Sequence, residues 1–258
     1  PIICGATPCR WDSGTGSGGT PPGGFERKTR MYYDSYYWIL LVPAMLIALV
    51  AQLRVSSTFK RYSKVSGGRG FTGAQAAEAV LRFHGIYDVR IERISGHLSD
   101  HYDPRDNVIR LSDSVYGAKS VAAVGVAAHE AGHAVQYAQG YGPIRVRAAI
   151  IPLSNIGSQL SIVFIFIGLF LYSQTLFGIG VLLFSLAVAG QLITLPVEFN
   201  ASRRAIVTLE EGDFLDAEEL KGAKKVLSAA AMTYVAALLV SLAQLARFLL
   251  AFGGRRRD

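Results

Sequence analysis

Cysteine is nearly absent from this chain: of 258 residues only Cys4 and Cys9 carry a thiol, and both sit close to the start. A disulfide framework and a thiolate metal site are therefore excluded for everything downstream. Charge is also sparse, with 17% Asp, Glu, Lys and Arg against 51% apolar residues, a balance unusual for a soluble domain. Histidine occurs five times, as His84, His97, His101, His129 and His133, and never after His133. No internal repeat is evident.

The apolar residues that are present fall into blocks. Tyr36 to Leu53, "YYWILLVPAMLIALVAQL", holds no charge and approaches the thickness of a bilayer as a helix. Its leading tyrosines and Trp38 suit an interfacial belt. The region from Ile150 to Leu195 is too long for one span and is broken by "YSQT" at Tyr172 to Thr175, which predicts two helices and a tight turn. A fourth block runs from Ala229 to about Phe252, with Arg247 near enough to its end to snorkel. The expected organisation is a disordered extension over 1–30, a first transmembrane helix over 31–55, and a catalytic α+β segment over 56–149. A transmembrane hairpin over 150–196, a ligand-bearing helix and loop over 197–228, and a fourth transmembrane or interfacial helix with a basic tail over 229–258 complete it.

The first thirty residues, rich in Gly, Pro, Ser and Thr without periodicity, read as disordered, and Met31 reads as a natural start. The net charge of +7 does not point to nucleic acid, because the cations flank the apolar blocks. Arg54, Lys60, Arg61, Lys64 and Arg69 follow the first, Arg145 and Arg147 precede the second, and Arg203 and Arg204 follow the third. The positive-inside rule then places the 54–147 and 196–226 segments in the cytoplasm, while "GGRRRD" at the C-terminus would lie outside.

Between the first two spans the composition becomes that of a small folded segment. "TGAQAAEAVLRFHG" reads as a helix with Thr72 as N-cap and Gly85 as stop. "YDVRIERISG" and "NVIRLSDSVYG" read as two strands joined by a turn-rich loop, as a hairpin or loop-linked pair. Ser120 can cap a further helix that runs to about Gly140.

That last helix carries "HEAGH". His129 and His133, four residues apart, stack on one face and can converge on one ion, while Glu130 is rotated about 100° to stand beside it. This is the donor set of a zinc hydrolase with Glu130 as general base. The bland alternative is an ordinary helix whose histidines bond to core carbonyls. A catalytic zinc site needs a third protein ligand, and with no later histidine it must be a carboxylate. Glu198 in "LPVEFNASRRA" is favoured, on a helix beginning near Pro196, over Glu210 and Glu211 in the acidic segment beyond. Arg203, Arg204, Tyr102 and His101 are candidates for oxyanion or substrate contacts. The strand 108–112, if at a sheet edge, could pair with an extended peptide.

These motifs together, from "TGAQAAEAVLRFHG" through "HEAGH" to "LPVEFNASRRA", resemble the YugP-like neutral zinc metallopeptidases of bacterial membranes over nearly everything after Met31. The resemblance implies a mainly α membrane protein of about four transmembrane helices with a small α+β zincin-like, gluzincin-type catalytic segment. It implies zinc as cofactor, His129 and His133 as ligands and Glu130 as base. More distant similarity to HtpX and the CAAX prenyl endopeptidases supports Glu198. Relatives carry Asp where Asn200 and Ser202 stand here, a departure expected to weaken the hydrogen bonds that orient a ligand. The expected partners are a polypeptide substrate at or near the membrane and the lipid bilayer, with no nucleic acid, and the expected place is the cell membrane with the site at the cytoplasmic face. A zinc-binding membrane scaffold or regulatory subunit without turnover is the alternative, and a transporter is disfavoured because the spans hold few ionisable groups.

Overall fold

The structure, a computed structural model, describes residues 36–67 and 69–254. The expected extension with Cys4 and Cys9, the start at Met31 and the arginines of the C-terminal tail lie outside the described residues.

Four helices are long and apolar enough to cross a membrane. The first, α1, covers Tyr37–Tyr62; its opening turn, Tyr37–Leu41, is π-helical. Pro43 follows one residue beyond it, after Val42, and a proline that offers no N–H and crowds the turn before it accounts for the widened start. A folded segment comes next. It consists of α2 (Gly73–Phe83), β1 (Arg90–Ile94), β2 (His101–Asp103), β3 (Val108–Ser112), a short α3 (Asp113–Tyr116) and α4 (Val121–Ala138). The chain then forms α5 (Gly142–Phe170), α6 (Gln174–Glu211) and α7 (Ala217–Gly254).

The caps read from sequence are in place. Thr72 Oγ1 accepts from the Gln75 N–H while Gln75 returns a bond to the Thr72 N–H, a full capping box. Gly85, at φ +70°, closes α2 in a left-handed turn. Ser120 accepts from the Ala123 N–H at the head of α4.

The sheet differs from the expected pair. It has three strands in the order β1-β3-β2, with β1 parallel to β3 and β2 antiparallel to it. The segment "HLSDHYDPRD" was expected to be connection only, yet His101 to Asp103 pairs with β3 across a turn in which Asn107 takes φ +51°. The strand 108–112 is therefore central and cannot be the edge that binds a peptide. Central position explains why Val108, Ile109, Leu111 and Ser112 are all buried.

The core lies between α2, β3 and α4. Ala76, Ala77, Val80 and Leu81 of α2 meet Ile109 and Leu111 of β3 and the alanine and valine surface of α4. Helix α4 is buried almost all round, since α6 and α7 cover its other sides. Gly125 meets Ala223 of α7, and a side chain at Gly132 would come within 2.7 Å of the Ala201 carbonyl of α6.

The membrane helices carry apolar side chains that nothing in the protein covers, among them Leu53, Phe166, Leu182 and Leu249; a bilayer solvates them. Helices α5 and α6 form the expected hairpin, turning at Leu171 to Ser173 with Tyr172 at φ +52°. Their seam is built on small residues: Gly168 lies against the Phe177 backbone, Gly180 against Ile165, and Gly190 against Ser154. Three boundaries move. Helix α5 begins at Gly142, so Arg145 and Arg147 are helical, and α6 runs unbroken through Pro196 to Glu211. No new helix begins near Pro196. Helix α7 likewise starts at Ala217, where Asp216 accepts from the Glu218 and Glu219 N–H groups. Arg247 is buried, bonded to Gln244 and stacked 5.1 Å from the Tyr37 ring, so α7 ends where α1 begins.

Candidate metal centre

Two helices deliver the site. The four-residue spacing on α4 stacks His129 and His133 with ring centroids 4.7 Å apart, and α6, brought close by Gly132, presents Glu198 from the opposite side. Glu198 Oε2 lies 3.3 Å from His129 Nε2 and 3.6 Å from His133 Nε2. All three donor atoms fall within 4.8 Å of one another.

Glu198 is 2% exposed, and among the described residues its Oε2 has no hydrogen-bond partner. The imidazoles approach it within ion-pair distance but without hydrogen-bond geometry. A buried carboxylate oxygen without a donor is costly, which calls for a cation at that point. Two donors each about 2.0–2.1 Å from a tetrahedral ion stand about 3.3–3.4 Å apart. The spacing of Glu198 from the histidines fits that figure, and two imidazoles with one carboxylate are a chemically suitable zinc set.

Each histidine is oriented from behind. Gln136, fully buried, donates through Nε2 to the Val197 carbonyl and to Asn200 Oδ1, both at 2.9 Å. Its oxygen is thus left to accept from His133 Nδ1 at 3.0 Å. His133 therefore carries its proton on Nδ1 and turns a bare Nε2 toward Glu198. Ser202 Oγ lies 3.1 Å from His129 Nδ1 and orients that ring, as donor or as acceptor. Asn200 and Ser202 contact the network behind both imidazoles, Asn200 through Gln136 and Ser202 directly.

Glu130 is buried beside the pair, and its Oε2 accepts the Tyr102 backbone N–H at 3.0 Å. This bond ties β2 to α4. The Tyr102 hydroxyl turns away to Asn107 Oδ1, 2.8 Å off, and burial, followed by the neighbouring Tyr137, Asp88 and Asp103, pushes its pKa up to about 12.

Of the other sequence candidates, His101 is exposed and bonds the Ser99 carbonyl. Arg203 is exposed. Arg204 bonds Asn200 and Gln139 and lies over the Tyr141 ring. Glu210 and Glu211 stand in the last turn of α6, outside the group of converging donors.

Three neighbours went unread in the sequence. Arg147 of α5 places NH2 3.3 Å from Glu198 Oε1, and its Nε is buried without a partner. The Tyr234 hydroxyl of α7 also reaches Glu198. Gln136 is the third. Its place three residues beyond His133 on the same helix face was a usable signal, whereas Arg147 looks in sequence like any cation flanking a span.

The fold and site define a zinc metallopeptidase of the membrane. Residues 37–253 match the family described as "Putative neutral zinc metallopeptidase", and the chain belongs to that family. It is 47% identical over 213 residues to the "Putative membrane protease YugP" of Bacillus subtilis (strain 168), covering 83% of this chain and 95% of that relative. No solved structure matches.

Proposed function

We propose that the chain cleaves peptide bonds in membrane or membrane-proximal polypeptides at the cytoplasmic face, with His129, His133 and Glu198 holding zinc and Glu130 as general base. The observation that carries this reading is the buried, donorless Glu198 Oε2 set between two Nε2 atoms.

When bound, zinc supplies Lewis acidity to a water molecule and to the scissile carbonyl. The residues do the rest. Glu130 is fixed through Oε2 by the Tyr102 N–H, which leaves Oε1 to take the proton of the attacking water and pass it to the departing amine. Arg147 neutralises Glu198 from the Oε1 side and holds Oε2 toward the histidines. Cytoplasmic placement is supported by the cations Arg54, Lys60, Arg61, Lys221, Lys224 and Lys225, which gather at the catalytic end of α1 and α7.

The test is cleavage of a membrane polypeptide by purified protein in lipid, with and without a chelator. Chelation is expected to abolish turnover, and Glu130→Gln to abolish it while zinc remains bound at one per chain. Turnover that survives Glu130→Gln would remove the base.

A further inference from the structure

Away from the metal centre, α1 and α7 diverge to leave an open groove of about 670 Å³. One end is apolar, lined by Ile47 and Val50 of α1 and Met232 of α7. The other is basic, with Arg54 and Arg61 from α1 and Lys221, Lys224 and Lys225 from α7. Among the described residues, no carboxylate lines it. Among the described residues, Lys221 alone of these five has an acidic partner, Glu218 at 2.7 Å, while Arg61 lies beside the Tyr62 ring.

Helix geometry explains the arrangement. Arg54, Thr58 and Arg61 recur at four- and three-residue steps and so share a face of α1, as Lys221, Lys225, Ser228 and Met232 do on α7. Near the basic end Gly222 lets Tyr62 pack directly on α7, since a side chain there would meet the tyrosine ring at 2.8 Å. The groove is thus closed at its base and open toward lipid. From Ile47 to Arg61 the axial rise is about 21 Å, close to one leaflet of about 15 Å of hydrocarbon and 5–8 Å of headgroup.

We propose that this groove binds one anionic phospholipid of the cytoplasmic leaflet, with an acyl chain along Ile47, Val50 and Met232 and the phosphate between Arg54, Lys224 and Lys225. A cluster of cations placed to serve span orientation alone needs no apolar channel beneath it, and a lipid-facing apolar channel needs no charge. Their junction fits a molecule that has both parts, and the absence of a carboxylate among the described lining residues selects the anionic class.

The experiment uses the purified full chain, delipidated in neutral detergent and titrated with dioctanoyl phosphatidylglycerol, dioctanoyl phosphatidylcholine and inorganic phosphate. Bound lipid is counted by native mass spectrometry, and the melting temperature is followed. Phosphatidylglycerol is expected to bind at one per chain, about tenfold or more tighter than phosphatidylcholine, and to lose that advantage in Arg54→Gln/Lys224→Gln/Lys225→Gln. Ala229→Trp, which fills the groove and keeps every cation, is expected to abolish binding; Ser228→Phe at an exposed position serves if that variant does not fold. Equal affinity for the two lipids overturns the proposal. So does competition by inorganic phosphate at the concentration of the lipid, or unchanged phosphatidylglycerol binding in the groove-filling variants.

Discussion

Glycine 132 stands between the two histidines because α4 and α6 touch there. Its virtual side chain would sit 2.7 Å from the Ala201 carbonyl, inside the contact limit of any carbon, and the close approach is what brings Glu198 and Ser202 within reach of His129. Gly132→Ala is therefore expected to push the helices apart, costing about 1–3 kcal/mol of stability by overpacking together with much of the zinc affinity, as read by thermal melting and by competition with a metal indicator. Gln136 acts one step further back. Gln136→Leu keeps the volume roughly and strands His133 Nδ1, the Val197 carbonyl and Asn200 in a buried site, so zinc affinity is expected to fall about 10–100-fold with little change in helix content by circular dichroism. An unchanged zinc affinity in Gln136→Leu would mean that His133 is oriented by its own packing.

At the scale of elements, β2 is the piece that pattern reading could not see. Three residues are too few to show alternation, and the turn formers around them, Asp100, Asp103, Pro104 and Asn107, mask the pairing. What makes the strand is tertiary: Arg110 of β3 bonds Asp103 at 2.9 Å, and Glu130 takes the Tyr102 N–H. The Arg105 backbone N–H, followed by Arg110, holds the Asp103 carboxyl below the usual carboxylate range. The folded pKa is depressed, so this stabilisation is fully present above the unfolded value near 3.8 and is lost as pH falls through the folded one. The melting-temperature gap between wild type and Asp103→Asn, compared in zinc-free protein, is expected to shrink as pH is lowered through the carboxylate range. A gap that does not change with pH would mean that the ion pair does not anchor the hairpin. The helices, by contrast, were legible, because Thr72, Gly85 and Ser120 act through bonds within a few residues of themselves. The run through Pro196 was not, since a proline ends a helix only where neighbours cannot support the freed carbonyl.

At the scale of the molecule, the four apolar blocks and the HEAGH helix could be read from sequence because each states its chemistry locally, whereas Glu198 was favoured over Glu210 and Glu211 with the support of distant family similarity. The partners Arg147 and Tyr234 could not: they reach Glu198 from α5 and α7, a relation that exists only after the bundle has assembled. The bundle itself makes a directional claim. Tyr37 and Arg247 meet at one end, and the hairpin turn at Tyr172 ends α5, which begins beside the catalytic segment.

Helix α5 rises about 1.5 Å per residue over 29 residues, enough to carry Tyr172 across the hydrocarbon from the metal centre. The proposed cytoplasmic placement therefore requires Tyr172 to face the exterior and Lys224 the interior. The chain is well suited to the test, because replacing Cys4 and Cys9 by Ser leaves no native thiol. In that background a cysteine at Tyr172, which is 80% exposed, is expected to react with a membrane-impermeant maleimide on intact cells. A cysteine at Lys224 is expected to react only after the membrane is opened. The reverse pattern would put the catalytic segment outside the cell, and equal labelling of both positions on intact cells would mean that the helices do not span.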